Sequence, residues 1–161
     1  MPGVVEVASA VSSRIYAAGH FQYKDDGGIR NALWYDLAST KIALIAGDAP
    51  IRYVDHNIDT GDSEQSVIVA FTDVLVIVID LNFREKPVIA KTRVIPRSSL
   101  TSLSVGDLTN AIGRQSQAWP SKLAITLTYG DAEFQLPFRY GSNVAELAAL
   151  VPSVALDLDR R

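Results

Sequence analysis

The sequence predicts an α+β domain in which seven short antiparallel strands follow a helical N-terminal segment. From Ile51 onward, β-branched residues recur with a period of two in short blocks, which is typical of strands. Before that point, apolar residues recur at spacings of three and four, the period of one helix face. A further helical pattern follows Asn143 and closes the chain.

Length and composition indicate a single soluble domain. A chain of 161 residues can bury roughly 70% of the surface that it exposes when unfolded. The sequence contains no cysteine, which excludes disulfides and thiolate chemistry and fits a reducing cytoplasm. Its start lacks the pattern of a signal peptide, and its longest apolar run, residues 74–79, is far shorter than the ~20 residues of a membrane-spanning helix. We therefore expect a cytoplasmic protein with no transmembrane segment.

Residues 1–48 are predicted to form a helical extension. A first helix is expected over residues 4–18, where Val7, Val11 and Ile15 share a face and Gly19 follows. A second helix is expected from about residue 29 to residue 46, and Ser39-Thr40 is the point at which it could break.

Residues 49–161 are predicted to form the β domain. Short loops between its strands indicate an antiparallel meander, and the long polar connection over residues 106–120 is expected to be its most mobile loop. The closing helix is expected to begin at Asn143 as N-cap with Glu146 three residues later, and Pro152 is expected to limit it. The predicted strands lie near residues 51–58, 65–72, 74–81, 87–95, 99–105, 121–128 and 132–138.

Three blocks, residues 69–78, 94–103 and 124–138, carry a resemblance to a known family. They contain, in order, a turn at Thr72-Asp73, a strand ending in Ile95-Pro96 before serines, and a hairpin turning at Gly130. Together with the closing helix, they resemble the bacterial pleckstrin-homology-like (PH-like) domains over roughly residues 50–156. The resemblance implies a partly open barrel of seven antiparallel strands, capped by the C-terminal helix. The family is associated with oligomerisation, which implies a non-enzymatic protein-binding or self-assembly module.

Basic residues are densest in the middle of the chain and suggest an alternative function. Lys91 and Arg93 alternate onto one strand face, which could bind an anionic ligand or a membrane surface. Relatives that bind phosphoinositides use a basic loop between their first two strands, whereas residues 57–65 here contain three acids and no base. The net charge of −3 argues against nucleic-acid binding. The candidate binding residues, which include an exposed tryptophan at the end of the long loop, are Arg84, Lys86, Lys91, Arg93, Arg97 and Trp119.

Two further motifs are candidate sites for metal binding or catalysis. Residues 55–61 place oxygen ligands as a calcium loop does, but the glycine comes one place late and Ser66 stands where a glutamate belongs. Asp59-Thr60-Gly61, with residues 111–114 downstream, is similar to the signatures of retroviral-type aspartic proteases and would require a homodimer. His20 and His56 are too few for a histidine-rich metal site. We expect no enzymatic activity, no cofactor and no metal, and a protein partner or a second copy as the ligand.

Overall fold

The computed structural model describes residues 3–18, 32–58, 64–109, 111–112, 119–138 and 143–159. These residues form an α+β structure with two antiparallel sheets, which confirms the predicted class. Sheet A has the strand order β1-β2-β3-β4 and sheet B the order β5-β6-β7, and no pairing of the described residues closes them into one barrel. The elements are α1 (Val4–Ala18), α2 (Leu33–Ala46), β1 (Tyr53–His56), β2 (Gln65–Phe71), β3 (Leu75–Asn82), β4 (Ile89–Pro96), β5 (Leu100–Leu108), β6 (Leu123–Tyr129), β7 (Ala132–Leu136) and α3 (Val144–Ala155).

Sheet A is buried on both faces. Its inner face contributes Tyr53 and Phe71 to a core shared with sheet B and α3. Its outer face contributes Ile68 and Ile77 to a second core beneath α1 and α2. Burial on both sides explains why β2 and β3 read as nearly continuous apolar runs rather than alternating ones. The N-terminal helices are therefore one layer of the packed structure.

Two hydrogen-bonded contacts anchor α1 to this scaffold. His56, which is buried, accepts at Nδ1 from the Ile58 N–H (3.1 Å), so its Nε2–H donates to the Ile15 carbonyl (2.9 Å). Arg14 donates to the Ile51 carbonyl (2.5 Å) and to Glu146 (2.8 Å), which joins α1 to α3. Helix α1 is thus fixed to both the first strand and the closing helix.

Helix α2 does not break at Ser39-Thr40. Both hydroxyls donate within the helix, Ser39 to the Tyr35 carbonyl (3.0 Å) and Thr40 to the Asp36 carbonyl (2.7 Å). Such bonds to the preceding turn satisfy the hydroxyl group without breaking the backbone ladder. Helix α2 consequently runs without a break to Ala46.

Two details of α3 also differ from expectation. The side chain of Asn143 precedes the helix but makes no capping bond, and its Nδ2 donates to the Val54 carbonyl (2.9 Å) in β1. Pro152 lies inside the helix, which continues to Ala155, and its carbonyl accepts the N–H of Leu156. A proline lacks only its own donor, and the turn after it remains bonded. Leu147 and Leu150 of α3 are buried against the two sheets.

Candidate functional site

The basic residues do not form one exposed face. Arg97 is only 1% exposed and donates from Nε to Asp157 (2.8 Å), from one terminal nitrogen to the Thr72 carbonyl (2.8 Å) and from the other to Ser153 (2.9 Å). These bonds join the corner between β4 and β5 to the end of α3. Arg97 is a structural residue of the corner and not part of a binding surface, which corrects its inclusion among the candidates.

Two of the four remaining basic candidates are paired with carboxylates. Arg93 binds both oxygens of Asp80 (2.6 and 3.0 Å), and Arg84 pairs with Glu64. Lys91 lies opposite Asp80 in the pairing of β3 with β4. Lys86 lies exposed in the β3–β4 connection. Because two of the exposed arginines carry their own counterions, the segment presents little net positive field to an anion.

Three of the four sheet edges are guarded. At the β1 edge, the Asn143 amide donates to the Val54 carbonyl, and the Phe138 N–H donates to the carboxylate of Asp55 (2.8 Å). On β4, Lys41 reaches from α2 to the Ala90 carbonyl (2.6 Å), the strand carries Lys91 and Arg93, and it ends in Pro96. Strand β7 has five residues and exposes Glu133 and Gln135. Charged side chains, prolines, short strands and covering groups all discourage pairing with another chain.

The β5 edge is the least guarded of the four, since its one charged side chain is that of Asp107, which lies beyond the regularly paired residues 102–105. Strand β5 has nine residues, pairs with β6 alone among the described strands, and contains no lysine, arginine or proline. From Thr101 to Leu108 its residues are exposed, apart from the half-buried Leu103. Pairing with β6 is regular from Ser102 to Val105 and shifts register on both sides. The β5 edge, residues 102–105, therefore leaves a short regular stretch of backbone open to a further strand.

Apolar side chains lie beside this edge. Val105 is 49% exposed, and Leu108 and Ile112 follow it with exposed side chains. Trp119, 46% exposed, stands at the other end of the connection, where Thr109 and Ser121 share a hydroxyl bond (2.8 Å) and the Lys122 N–H donates to Thr109 (2.7 Å). The same connection that holds Trp119 thus begins at the exposed end of β5.

The motifs weighed for catalysis or metal binding give no site in the described structure. Asp55 is buried and accepts from the Tyr53 hydroxyl (2.9 Å), the His56 N–H (2.8 Å) and the Phe138 N–H (2.8 Å). Burial raises the pKa of this carboxyl, against the lowering effect of these bonds. Asp59-Thr60-Gly61, His20 and Gly113-Arg114 lie outside the described residues, as do residue 110 and residues 113–118 of the connection expected to be mobile. No cluster of three or more potential metal ligands occurs in the part of the chain that is described.

Among the described helices, none has the length and apolar character needed to cross a membrane. Comparison with protein-family models, with curated proteins and with solved structures gave no match to this chain. The geometry of the sheet edges and of the helix faces therefore provides the grounds for a functional proposal.

Proposed function

We propose that this protein is a non-enzymatic self-assembly module of the PH-like kind, in which the β5 edge pairs with the β5 edge of a second copy. The observation that carries the proposal is the contrast between β5, the longest strand described, and the three guarded edges. The succession of a four-stranded sheet, a three-stranded sheet and a closing helix supports the PH-like comparison.

Edge pairing is favoured because unbonded backbone groups gain partners when a strand is added. Addition of a strand satisfies the outward N–H and C=O groups, while neighbouring side chains set specificity. At β5, Val105 and Leu103 supply apolar side chains on one face, and Ser102 and Ser104 supply small polar ones on the other. No side chain would have to leave a buried position for the added strand to dock.

The sequence of β5 is also compatible with pairing to itself. An antiparallel pair centred on Ser104 places Leu103 of each copy opposite Val105 of the other. Asp107, the only charged residue of β5, then lies opposite Thr101. Like charges directly across a sheet destabilise it, and this register contains none. The register shifts at the two ends confine the contact to a few residues, so the pairing is expected to be reversible.

The test uses charges at the centre of the proposed pair. In Ser104→Lys, two ammonium groups would face each other across the twofold axis, so the mass measured by size-exclusion chromatography with light scattering should fall. An equimolar mixture with Ser104→Glu should restore the larger species, because opposite charges then meet. Gln135→Lys is the matched control, since Ser104, Thr126 and Gln135 lie in one row of sheet B and Gln135 is two strands away.

The proposal fails if wild-type protein is monomeric at every concentration. It also fails if Ser104→Lys and Gln135→Lys change the mass equally, or if the mixture of opposite charges behaves as the separate variants do. Urea denaturation of each variant checks that the fold is retained, which is expected because Ser104 is exposed on the outer face of its sheet.

A further inference from the structure

Helix α2 is apolar on its outer side as well as on the side that packs on sheet A. Its inner side contributes Tyr35 and Ile42 to the core. On its outer side, Leu33, Leu37 and Leu44 are 78%, 43% and 67% exposed. A helix that is hydrophobic on all sides is normally covered on all sides. The outer side of α2 therefore presents an apolar surface that the described fold leaves uncovered.

The exposed residues follow the spacing of a coiled-coil seam. Leu33, Leu37, Thr40 and Leu44 are separated by four, three and four residues, which is the alternation of d and a positions in a heptad repeat. We call these four residues the leucine seam. Thr40 is the only polar member, and its hydroxyl already donates to the Asp36 carbonyl. The seam is thus continuous over the whole length of α2.

We infer that the leucine seam packs against the same seam of a second copy, with the two α2 helices parallel. Charge complementarity selects this occupant. Asp36 and Lys41 hold the g and e positions that flank the seam, and a parallel pair brings Asp36 of each copy to Lys41 of the other. Lys41 donates to the Ala90 carbonyl and retains further donors and its charge for such a contact.

The seam lies on a different layer of the molecule from the β5 edge. Helix α2 covers the outer face of sheet A, whereas β5 belongs to sheet B. This inference rests on the proposed function only in that it adds a second surface, through which a further copy binds. Each contact has its own twofold axis and uses a different surface. A copy that is bound through one surface therefore leaves its other surface free for a third copy. Assembly through both surfaces does not stop at a dimer and extends into an open chain.

The seam alone is expected to be a weak contact. It spans only two heptads on a helix of 14 residues. Its occupancy should increase with protein concentration, as copies already joined through the β5 edge bind further copies through the seam. The average mass of wild-type protein should therefore rise steadily with concentration beyond that of a dimer.

Four proteins separate the two contacts in sedimentation measurements over a concentration series. They are wild type, the edge variant Ser104→Lys, the seam variant Leu33→Glu with Leu44→Glu, and the combination of both. We expect wild type to exceed a dimer, each single-surface variant to reach a dimer at most, and the combination to remain a monomer. Val5→Glu on α1 is the matched control, because Val5 is an exposed apolar helix residue outside the seam.

A seam variant with the mass profile of wild type overturns this inference and leaves the proposed function intact. An edge variant with the profile of wild type overturns the proposed function and leaves the seam intact. If the seam variant has the same mass as the combined variant, the edge contact does not form without the seam. That result would also overturn the proposal of two independent surfaces.

A gain-of-association variant separates a seam contact from damage to the fold. Thr40→Leu completes the apolar seam, and in the Ser104→Lys background it should strengthen dimerisation on the order of ten-fold. A destabilised fold would not raise association in this way. Unchanged or weaker dimerisation in that variant contradicts the seam.

Discussion

The Arg97–Asp157 pair is the most constrained charged contact among the described residues. Both side chains are 1% exposed, and Arg97 also binds Thr72 and Ser153. Removing one member of a buried pair leaves the other charge without compensation, which typically costs about 3–5 kcal/mol. Arg97→Met should therefore lower the free energy of unfolding by roughly this amount in urea titrations.

A matched double variant distinguishes an uncompensated charge from a packing defect. Arg97→Met with Asp157→Leu removes both charges and should be more stable than Arg97→Met alone. If Arg97→Met lowers the free energy of unfolding by less than about 1 kcal/mol, the Arg97–Asp157 pair does not stabilise the corner between β4 and β5. Sequence reasoning could not identify this role, because Asp157 lies 60 residues away and nothing local marks Arg97 as buried.

Asp55 predicts a specific dependence of stability on pH. Burial raises its pKa in the folded protein above the ordinary aspartate value near 3.9, so the folded state binds a proton more readily than the unfolded chain. The contribution of this group to stability should rise as the pH falls through its folded-state pKa towards that ordinary value. Asp55→Asn removes the titration and one acceptor oxygen.

The measurement is the urea stability of wild type and of Asp55→Asn at several values between neutral pH and about pH 4. Wild type should be the more stable protein, because an amide cannot accept all the bonds from Tyr53, His56 and Phe138. The difference in free energy of unfolding between wild type and Asp55→Asn should increase as the pH falls. A difference that decreases would mean that the hydrogen bonds affect the pKa of this carboxyl more than its burial does.

At the scale of elements, α2 has one side that packs and one that does not. Ile42 is fully buried in the core between α2 and sheet A, whereas Leu44 is mostly exposed two residues later. Ile42→Ala should cost about 2–5 kcal/mol of unfolding free energy, and Leu44→Ala well under half of that in monomeric protein. Thermal or urea unfolding of the two variants in the Ser104→Lys background, at protein concentrations low enough for the seam to be unpaired, gives both values. Equal losses would contradict the orientation of the helix.

The strands were predictable because their signal is local. Short blocks rich in β-branched or other apolar residues marked the strands, and the observed bounds of β2 and β3 differ from the predicted ones by at most one residue. Strand β5 runs three residues further than expected. Gly106 and Asp107 indicated a turn, but a register shift between Val105 and Leu108 keeps them within the strand. Gly106 lies close to β6, where an added Cβ would be 3.6 Å from the Ala124 carbonyl oxygen.

The helix details were less predictable because tertiary contacts decide them. Asn143 has the residue type and position of an N-cap, yet β1 offers its amide a carbonyl that the sequence does not reveal. Ser39-Thr40 has low intrinsic helix propensity, but the tertiary packing that buries Ser39 favours the helix. The exposure of Leu33 and Leu37 was not predictable, because the apolar residues of α2 do not separate into one buried and one exposed face by sequence alone.

At the scale of the whole molecule, three layers arrange the candidate surfaces. Helices α1 and α2 cover one face of sheet A, sheet B and α3 cover the other, and β5 lies in the outer sheet. The sequence predicted an open sheet whose edges could pair, but not which edge is free. That distinction depends on Lys41, Phe138 and Asn143, each of which reaches an edge from a distant part of the chain. The pairing of Arg84 with Glu64 and of Arg93 with Asp80 was unpredictable for the same reason, since each counterion belongs to another part of the chain.

The central claim, that β5 pairs with β5 of a second copy, is tested most directly by hydrogen exchange of the amides in residues 100–108. The measurement compares low and high protein concentration in the seam variant, where only the edge contact remains. We predict that exchange over residues 102–105 slows as concentration rises, and that Ser104→Lys abolishes this change. Exchange that is independent of concentration at β5, or that slows instead at β4 or β7, would contradict the account.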